Sequence, residues 1–258
     1  MRARIRLLAL PVAALLGSAA APALAADKTT DLKPFDKLRI EGCFDARLEP
    51  GIPARAVVSA TDAQQQRILV EQDGRVVRVH FADKNAYDLC RAGTIRVSVT
   101  ATFAATDSVD LSLGGSGSLD ANVPRVAKLA SLVAGSGRMA LRGAAADCDF
   151  TVSGSGSGDA SAFMCDSSVR VSLSGSGTAK VAGKTKACDF VIDGSGNVAA
   201  DGADCDSTDV TINGSGSVSL AKPASLKAQI NGSGNVKYHG EPALRGVAVN
   251  GSGRLIKE

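Results

Sequence analysis

The chain has 258 residues, a formal net charge of +3, six cysteines, two histidines and no tryptophan. Three of its 29 basic residues lie within the first 25 residues, so 26 basic residues remain against 26 acidic ones in the rest. This near-neutral balance argues against a nucleic-acid-binding protein, which needs a basic excess. The 28 glycines and the 3% of aromatic residues are typical of neither a disordered nor a collagen-like chain.

The first 25 residues have the three parts of a secretory signal peptide. Basic residues from Arg2 to Arg6 precede an apolar stretch from Leu7 to Leu16, and Ala23-Leu24-Ala25 supplies a small-x-small cleavage site. The apolar stretch is too short to span about 30 Å of hydrocarbon, and no later segment could cross a membrane. We therefore expect residues 1–25 to be removed and the mature protein to be soluble and periplasmic or secreted. No cysteine lies near the cleavage site, so we expect no lipid anchor there.

The triplet Gly-Ser-Gly recurs eight times, and the steps between successive copies are 20, 19, 21, 19, 20, 18 and 19 residues. A constant period near twenty is typical of stacked repeats. The central residues of the triplets are Ser116, Ser136, Ser155, Ser176, Ser195, Ser215, Ser233 and Ser252.

The residues on both sides of each triplet alternate between apolar and polar. Two positions before the first glycine the residue is always aliphatic, as at Leu113 and Ile192. Four positions before it Ser131 is the only exception to an otherwise apolar row, and apolar residues also dominate the rows after the triplet. This period of two predicts a strand with one buried face on either side of the triplet. Near the end of the chain Arg245 and Lys257 replace apolar residues, and we expect these charges to protect the last coil from edge pairing.

These patterns predict an all-β protein: a right-handed parallel β-helix of about eight Gly-Ser-Gly coils with an N-terminal β cap. Each coil should consist of a strand, the corner, a second strand and a variable loop. Glycine suits the corner because it tolerates positive φ and has no Cβ to clash with the coils above and below, and the serines should stack as a ladder. The alternative is an antiparallel sandwich or barrel of hairpins, which would not need the same corner at every twentieth residue.

The region before the repeats has a different sequence pattern. Residues 27–103 contain short alternating segments, among them a hairpin with the turn Asp73-Gly74. We expect 27–103 to be an N-terminal β cap and 104–258 to be the β-helix, with 27–258 forming one continuous domain. A cap is needed because an open solenoid end offers unpaired strand edges.

The six cysteines fit an oxidising compartment. Two pairs share a spacing of 17 residues and have matching neighbours, so a duplicated unit with one disulfide per copy is the simplest account. The remaining two cysteines are left for the N-terminal region. No CxxC pair or Cys/His cluster suggests a metal site. The expected pairs are Cys148–Cys165, Cys188–Cys205 and Cys43–Cys90.

The repeated segments point to a family. Residues Val152 to Gly156, Leu173 to Gly177 and Ile212 to Gly216 resemble the bacterial "putative auto-transporter adhesin, head GIN domain" family. The opening from Phe35 to Gly42 is similar to the usual start of that family, and the resemblance covers about residues 34–256. It implies a secreted or envelope-exposed β-helical protein, and it brings no catalytic residues.

The residues suggest no catalytic arrangement and no cofactor. His80 lies in an alternating strand and His239 in a loop, and we interpret both as surface residues. The corner serines have no matching base, so we interpret them as structural. The segment from Gly154 to Asp159 has the glycines of a phosphate loop but neither its lysine nor its strand–helix context.

Two further motifs have plainer interpretations. Aspartates between Asp201 and Asp209 could offer oxygens to calcium, but a solvated acidic loop explains them better. Asn213, Asn231 and Asn250 each begin a glycosylation sequon, but they sit in the corner repeat, where turn chemistry accounts for them. We therefore expect no metal site.

The sequence favours a non-catalytic secreted or envelope β-solenoid that acts as an adhesin-like binding protein or a structural protein. The expected partner is an envelope protein or a glycan, not nucleic acid. A homo-oligomer formed through the end of the β-helix is an alternative that the sequence leaves undecided. The alternative function is a polysaccharide-active lyase or hydrolase, by analogy with other β-helices. The scarcity of aromatic residues argues against a deep sugar-stacking cleft. A purely structural spacer is the third interpretation.

Overall fold

The computed structural model describes residues 26–83, 86–103 and 107–258. The signal peptide expected at residues 1–25 lies outside the described residues. Within the described residues the chain is nearly all β-structure, with strands joined in one sheet and two short helices. None of the described helices is long and apolar enough to cross a membrane.

The strands divide at about residue 103 into two groups. Those before it are β1 (Ala26–Asp31), β2 (Lys37–Gly42), β3 (Phe44–Pro50), β4 (Arg55–Ala60), β5 (Ile68–Asp73), β6 (Val76–Phe81) and β7 (Ile95–Ala101), with helices α1 (Asp62–Gln65) and α2 (Tyr87–Arg91). Those after it are β8 (Ser108–Gly115), β9 (Ser118–Gly135), β10 (Arg138–Gly154), β11 (Ser157–Gly175), β12 (Thr178–Gly194), β13 (Asn197–Gly214), β14 (Ser217–Leu220), β15 (Ser225–Gly232), β16 (Asn235–Tyr238), β17 (Ala243–Gly251) and β18 (Arg254–Lys257).

The second group forms a parallel β-solenoid, which confirms the predicted fold class. Each of β9 to β13 runs 17 to 19 residues around one coil and pairs in parallel with the next. The prediction of a variable loop in each repeat is wrong for these coils, because the third side is also extended and hydrogen-bonded to its neighbours. In the later coils this side is shorter, and it separates β14 from β15 and β16 from β17.

The Gly-Ser-Gly corners lie directly on one another. The first glycine of each triplet is in register with that of the next, from Gly115 through to Gly251. At a typical corner the Ser176 N–H donates to the Gly154 carbonyl oxygen over 2.9 Å, and the same bond recurs along the stack. Gly175 has a φ of +113°, and a Cβ there would lie 2.6 Å from that carbonyl oxygen. A side chain at this position would therefore force the coils apart.

The stack of corners begins before the first Gly-Ser-Gly triplet. Gly42 is in register with Gly115, and the Ser116 N–H donates to the Gly42 carbonyl oxygen over 3.1 Å. Gly42-Cys43-Phe44 is therefore a corner of an earlier coil made by β2 and β3, with a cysteine in the serine position. The sequence search missed it because two of its three residues differ from the repeat.

The N-terminal region is part solenoid and part cap. Strands β6 and β7 form one more coil outside β2 and β3, with which they pair in parallel. Beyond them, β5 pairs antiparallel with β6, β4 with β7, and β1 with β4. The antiparallel strands, rather than all of 27–103, thus cover the outermost coil.

Helix α1 was not predicted, although its sequence carries a start signal. The Gln64 backbone N–H donates to Thr61 Oγ1 over 3.4 Å, and the Thr61 N–H donates to Gln64 Oε1 over 3.0 Å. This reciprocal pair is a capping box. The helix occupies only Asp62–Gln65, too short for an apolar periodicity to reveal.

The apolar rows fill the interior. The aliphatic residues two positions before each corner are at most 2% exposed from Leu113 to Ile230, and Ser131, the exception in its row, is also buried. Two buried hydroxyl groups, on Thr185 and Thr208, have no hydrogen-bond partner among the described residues. A small interior cavity of about 10 Å³ lies where Gly158 takes the place of a larger residue.

Three disulfides link neighbouring elements. Each of the two 17-residue pairs joins consecutive coils, β10 to β11 and β12 to β13, and all four of those cysteines are at most 5% exposed. The third ties the earliest repeat-like corner to α2. The bonds are Cys148–Cys165, Cys188–Cys205 and Cys43–Cys90.

The two charges expected to protect the last coil each have a partner within the chain. Arg245 donates to Ser225 Oγ over 2.6 Å, and Lys257 pairs with Glu241. The side chains of β17 that continue the interior rows are exposed, with Val247 at 44%. The expectation that these charges prevent edge pairing stays a prediction.

Two glycine substitutions should have opposite effects on stability. Gly175→Ala should lower the free energy of unfolding by at least about 2 kcal/mol, because φ is positive and the new Cβ meets backbone. Gly158→Ala should raise the free energy of unfolding by about 0.5–1 kcal/mol, because alanine reduces the conformational freedom of the unfolded chain. The new Cβ fits without strain, since its one contact is an ordinary one, 3.5 Å from Val152 Cγ2. Urea unfolding of both oxidised variants measures this. Equal effects of the two substitutions would contradict the stacking described.

The interior disulfides should contribute through chain entropy. Replacing Cys188 and Cys205 together with alanine should lower the free energy of unfolding by about 3 kcal/mol, the value for a loop of 17 residues. The same urea titration, run with and without a reductant, checks the result. The double variant should respond less to reductant than the unchanged protein, and an equal response would show that this bond is not formed.

Candidate binding groove

A shallow groove of about 570 Å³ crosses the outer surface of β2, β8, β9 and β10. Ser112 and Ala130 are small, and they form the low floor between larger side chains on either side. Four strands at about 4.8 Å spacing place the first and last of them roughly 14 Å apart. The groove thus spans about the length of four extended residues.

Two cations line one side of the groove, and only one of them is neutralised by an ion pair. Lys37 Nζ lies 2.7 Å from Asp110 Oδ2, and the hydrogen bond and charge of Asp110 raise the pKa of Lys37. Arg39 has no ion-pair partner among the described residues and is exposed. Its in-register neighbour on β6 is Arg78, which is also exposed and also without a described ion pair. On its other side Arg78 is in register with Glu71 of β5, but no ion pair joins the two among the described residues. Like charges side by side on neighbouring strands repel, so the side of Arg78 that faces Arg39 favours an anion.

An exposed apolar side chain lies next to these cations. Leu132 is 37% exposed, and Ser112, its neighbour in register on β8, separates it from Arg39. Leu132 also lines the groove. The surface therefore offers a guanidinium group and an apolar contact within about two strand spacings, or roughly 10 Å.

Two carboxylates line the groove. Asp110 and Asp149 lie two strands apart, with Ala130 between them. Asp110 is held in the ion pair with Lys37, and Thr151 Oγ1 donates to Asp149 Oδ1 over 3.5 Å. Both carboxylates therefore have partners within the groove.

Within the described part of the chain, neither histidine contacts a nucleophile. His80 Nε2 is 3.2 Å from Glu71 Oε2, and its Nδ1 is 2.9 Å from the Phe81 carbonyl oxygen. His239 Nδ1 is 3.1 Å from the Glu258 carbonyl oxygen. Both rings are therefore engaged by acidic or backbone groups rather than by serines.

The corner serines form an exposed row, with their backbone N–H groups used for stacking. Beside them runs a ladder of amides. Asn213 Nδ2 donates to Asp193 Oδ1 over 2.8 Å, and Asn231 and Asn250 each donate to the preceding asparagine over 2.9 Å. These hydrogen bonds give the sequon asparagines a structural role in the stack.

The sequence suggested that the aspartates between Asp201 and Asp209 form a loop, but they lie on strand β13. Their side chains are exposed, and Asp204 and Asp206 lie on either side of the buried Cys205. No group of three or more His, Cys, Asp and Glu side chains among the described residues could hold a metal ion.

The architecture matches a described family. The model of the family "Putative auto-transporter adhesin, head GIN domain" matches residues 34–168 and 166–242, which is most of the chain. The chain belongs to this family. The resemblance drawn from the repeated corner segments is thereby confirmed.

Solved structures share the fold of this head GIN domain. One named "putative adhesin" from Parabacteroides merdae has a TM-score of 0.76 at 21% identity, over 91% of this chain and 96% of its own. One named "putative lipid binding protein" from Parabacteroides distasonis has a TM-score of 0.75 at 22% identity, over 90% and 96%. A further "putative adhesin" from P. distasonis has a TM-score of 0.72 at 19% identity, over 90% and 96%. No curated protein matches the chain. At these identities the likeness establishes the fold.

Sequence reasoning missed the groove. Its residues lie far apart in the chain and alternate with buried positions, so their sequence signal is that of any outward-facing strand residue. Only the register of β2 on β8 brings Arg39 next to Ser112. The usable signal was the Ile40-Glu41-Gly42 segment, which has the apolar–polar–glycine pattern of the later corners.

Proposed function

We propose that this head GIN domain is a non-catalytic, adhesin-like protein of the periplasm or the cell exterior. It binds a segment of an envelope protein that enters the groove at its β2 edge, where one carboxylate of the segment contacts Arg39 and Arg78. The observation that carries the proposal is the pair of exposed arginines, Arg39 and Arg78, on neighbouring strands without a described carboxylate partner. A carboxylate from a partner would bridge the two guanidinium groups and relieve their repulsion.

The rest of the groove supports a polypeptide rather than a sugar. Leu132 offers an apolar contact beside the cations. No aromatic ring lines the groove on which a sugar could stack. An extended segment of about four residues fits the roughly 14 Å width at 3.3 Å per residue. We therefore favour a segment with one acidic side chain at the arginines and apolar side chains beyond it, because the groove's own carboxylates, Glu41, Asp110 and Asp149, would repel further acidic groups.

The location rests on separate features. Three disulfides, two of them inside the solenoid, are typical of an oxidising compartment. The signal-peptide pattern of residues 1–25 agrees with this. Family membership points to an envelope or extracellular protein as well.

The proposal is tested by binding of a labelled peptide, in which a single glutamate is followed by leucine residues, to the purified, oxidised protein. The peptide should bind saturably, and Arg39→Gln with Arg78→Gln should weaken binding at least about tenfold through the loss of charged hydrogen bonds. The matched control is Arg138→Gln with Arg142→Gln, which removes the same charge from exposed positions of β10. It should leave the affinity unchanged.

Parallel assays separate the alternatives. Peptidoglycan fragments, other glycans and phosphatidylglycerol vesicles are offered to the same proteins, and polysaccharide breakdown is followed. Binding of glycans or vesicles but not of the acidic peptide would overturn the proposal. Release of sugar products that is lost in Asp110→Asn or Asp149→Asn would establish the enzyme alternative instead.

A further inference from the structure

The two ends of the solenoid differ. At the N-terminal end, the outermost coil is covered by antiparallel strands whose edge strand β1 is rich in charge, as at Asp27, Lys28 and Asp31. At the other end, β17 pairs only with β15 and β18 only with β16 among the described strands. The C-terminal coil therefore presents open hydrogen-bonding edges.

The same edge exposes side chains that belong to the interior. Leu244, Val247 and Val249 are 54%, 44% and 39% exposed. Their in-register neighbours one coil earlier, Leu226, Ala228 and Ile230, are at most 1% exposed. The exposure arises because there is no further coil above β17 among the described residues. We call Leu244, Val247 and Val249 with the free edge of β17 the terminal face.

We propose that the terminal face binds the terminal face of a second copy of this chain. Two copies related by a two-fold axis would place β17 antiparallel to its counterpart, so that each edge hydrogen-bonds the other. The apolar residues of one copy would then cover the same residues of the other and continue the core across the contact.

The asymmetry of the two ends selects this arrangement over a fibre. A head-to-tail contact would set the apolar terminal face against the charged, antiparallel N-terminal edge. A tail-to-tail contact buries the terminal face of both copies and leaves no second terminal face free, so assembly stops at two copies.

The charges around the terminal face do not oppose a second copy. Lys257 pairs with Glu241, and Glu258 pairs with Lys237 of the preceding coil. The Arg245 side chain is turned back to the preceding coil. A two-fold copy therefore meets paired charges of both signs around an uncharged centre, which is compatible with an isologous contact.

The test is sedimentation equilibrium of the purified, oxidised protein up to about 200 µM, because the end of one coil is a small interface and should dimerise weakly. We expect a monomer–dimer equilibrium with no larger species. Val247→Lys should raise the dissociation constant at least tenfold, and Leu244→Lys should do the same as an independent variant. Thermal unfolding of the dilute proteins shows that both variants keep their fold.

The matched control is Met164→Lys, which changes a side chain that is 59% exposed on β11, away from the end. It should leave the dissociation constant unchanged. A protein that stays monomeric throughout, species that grow beyond the dimer, or a dimer equally weakened by Met164→Lys would each overturn the proposal. The arginine variants of the groove should dimerise normally, so this result stands apart from the proposed binding function.

Discussion

Close contact between the backbones of successive corners is the constraint on which the rest of the structure depends. At the corners from Ser116 to Ser233 the serine N–H reaches the carbonyl oxygen of the first glycine one coil earlier, over 2.8 to 3.1 Å. That approach leaves no space for a Cβ on the first glycine. Because the corners are fixed in this way, both flanking strands are held in one register along the solenoid, and a slip by one residue would turn every buried row outward.

Much of this could be predicted because a solenoid is nearly one-dimensional. The period of the triplets and the aliphatic row from Leu113 onward each record a neighbour about twenty residues away, so local patterns carry tertiary information. The third strand of each coil was missed since its apolar residues are small and interrupted, as at Ala145 and Ala203. The corner at Gly42 was missed because Cys43 and Phe44 depart from the repeated letters.

The candidate site could not be predicted from the sequence, and the reason is physical. A groove on the outside of a sheet is made by residues that do not pack, and such residues are free to vary. The floor at Ser112 and Ala130 is low only relative to neighbours on other coils. The repulsion between Arg39 and Arg78 likewise exists only once β2 and β6 are side by side. Register, which the corners set, therefore converts scattered side chains into a binding surface.

The account rests on stacked corners, and native-state hydrogen exchange measures these directly. The backbone amides of Ser136, Ser155, Ser176, Ser195 and Ser215 lie at corners but donate to the preceding coil. They should exchange only through global unfolding, with opening free energies close to that of the whole protein. Exchange of these amides as fast as that of exposed turns would contradict the stacked register from which the fold, the groove and the terminal face are all derived.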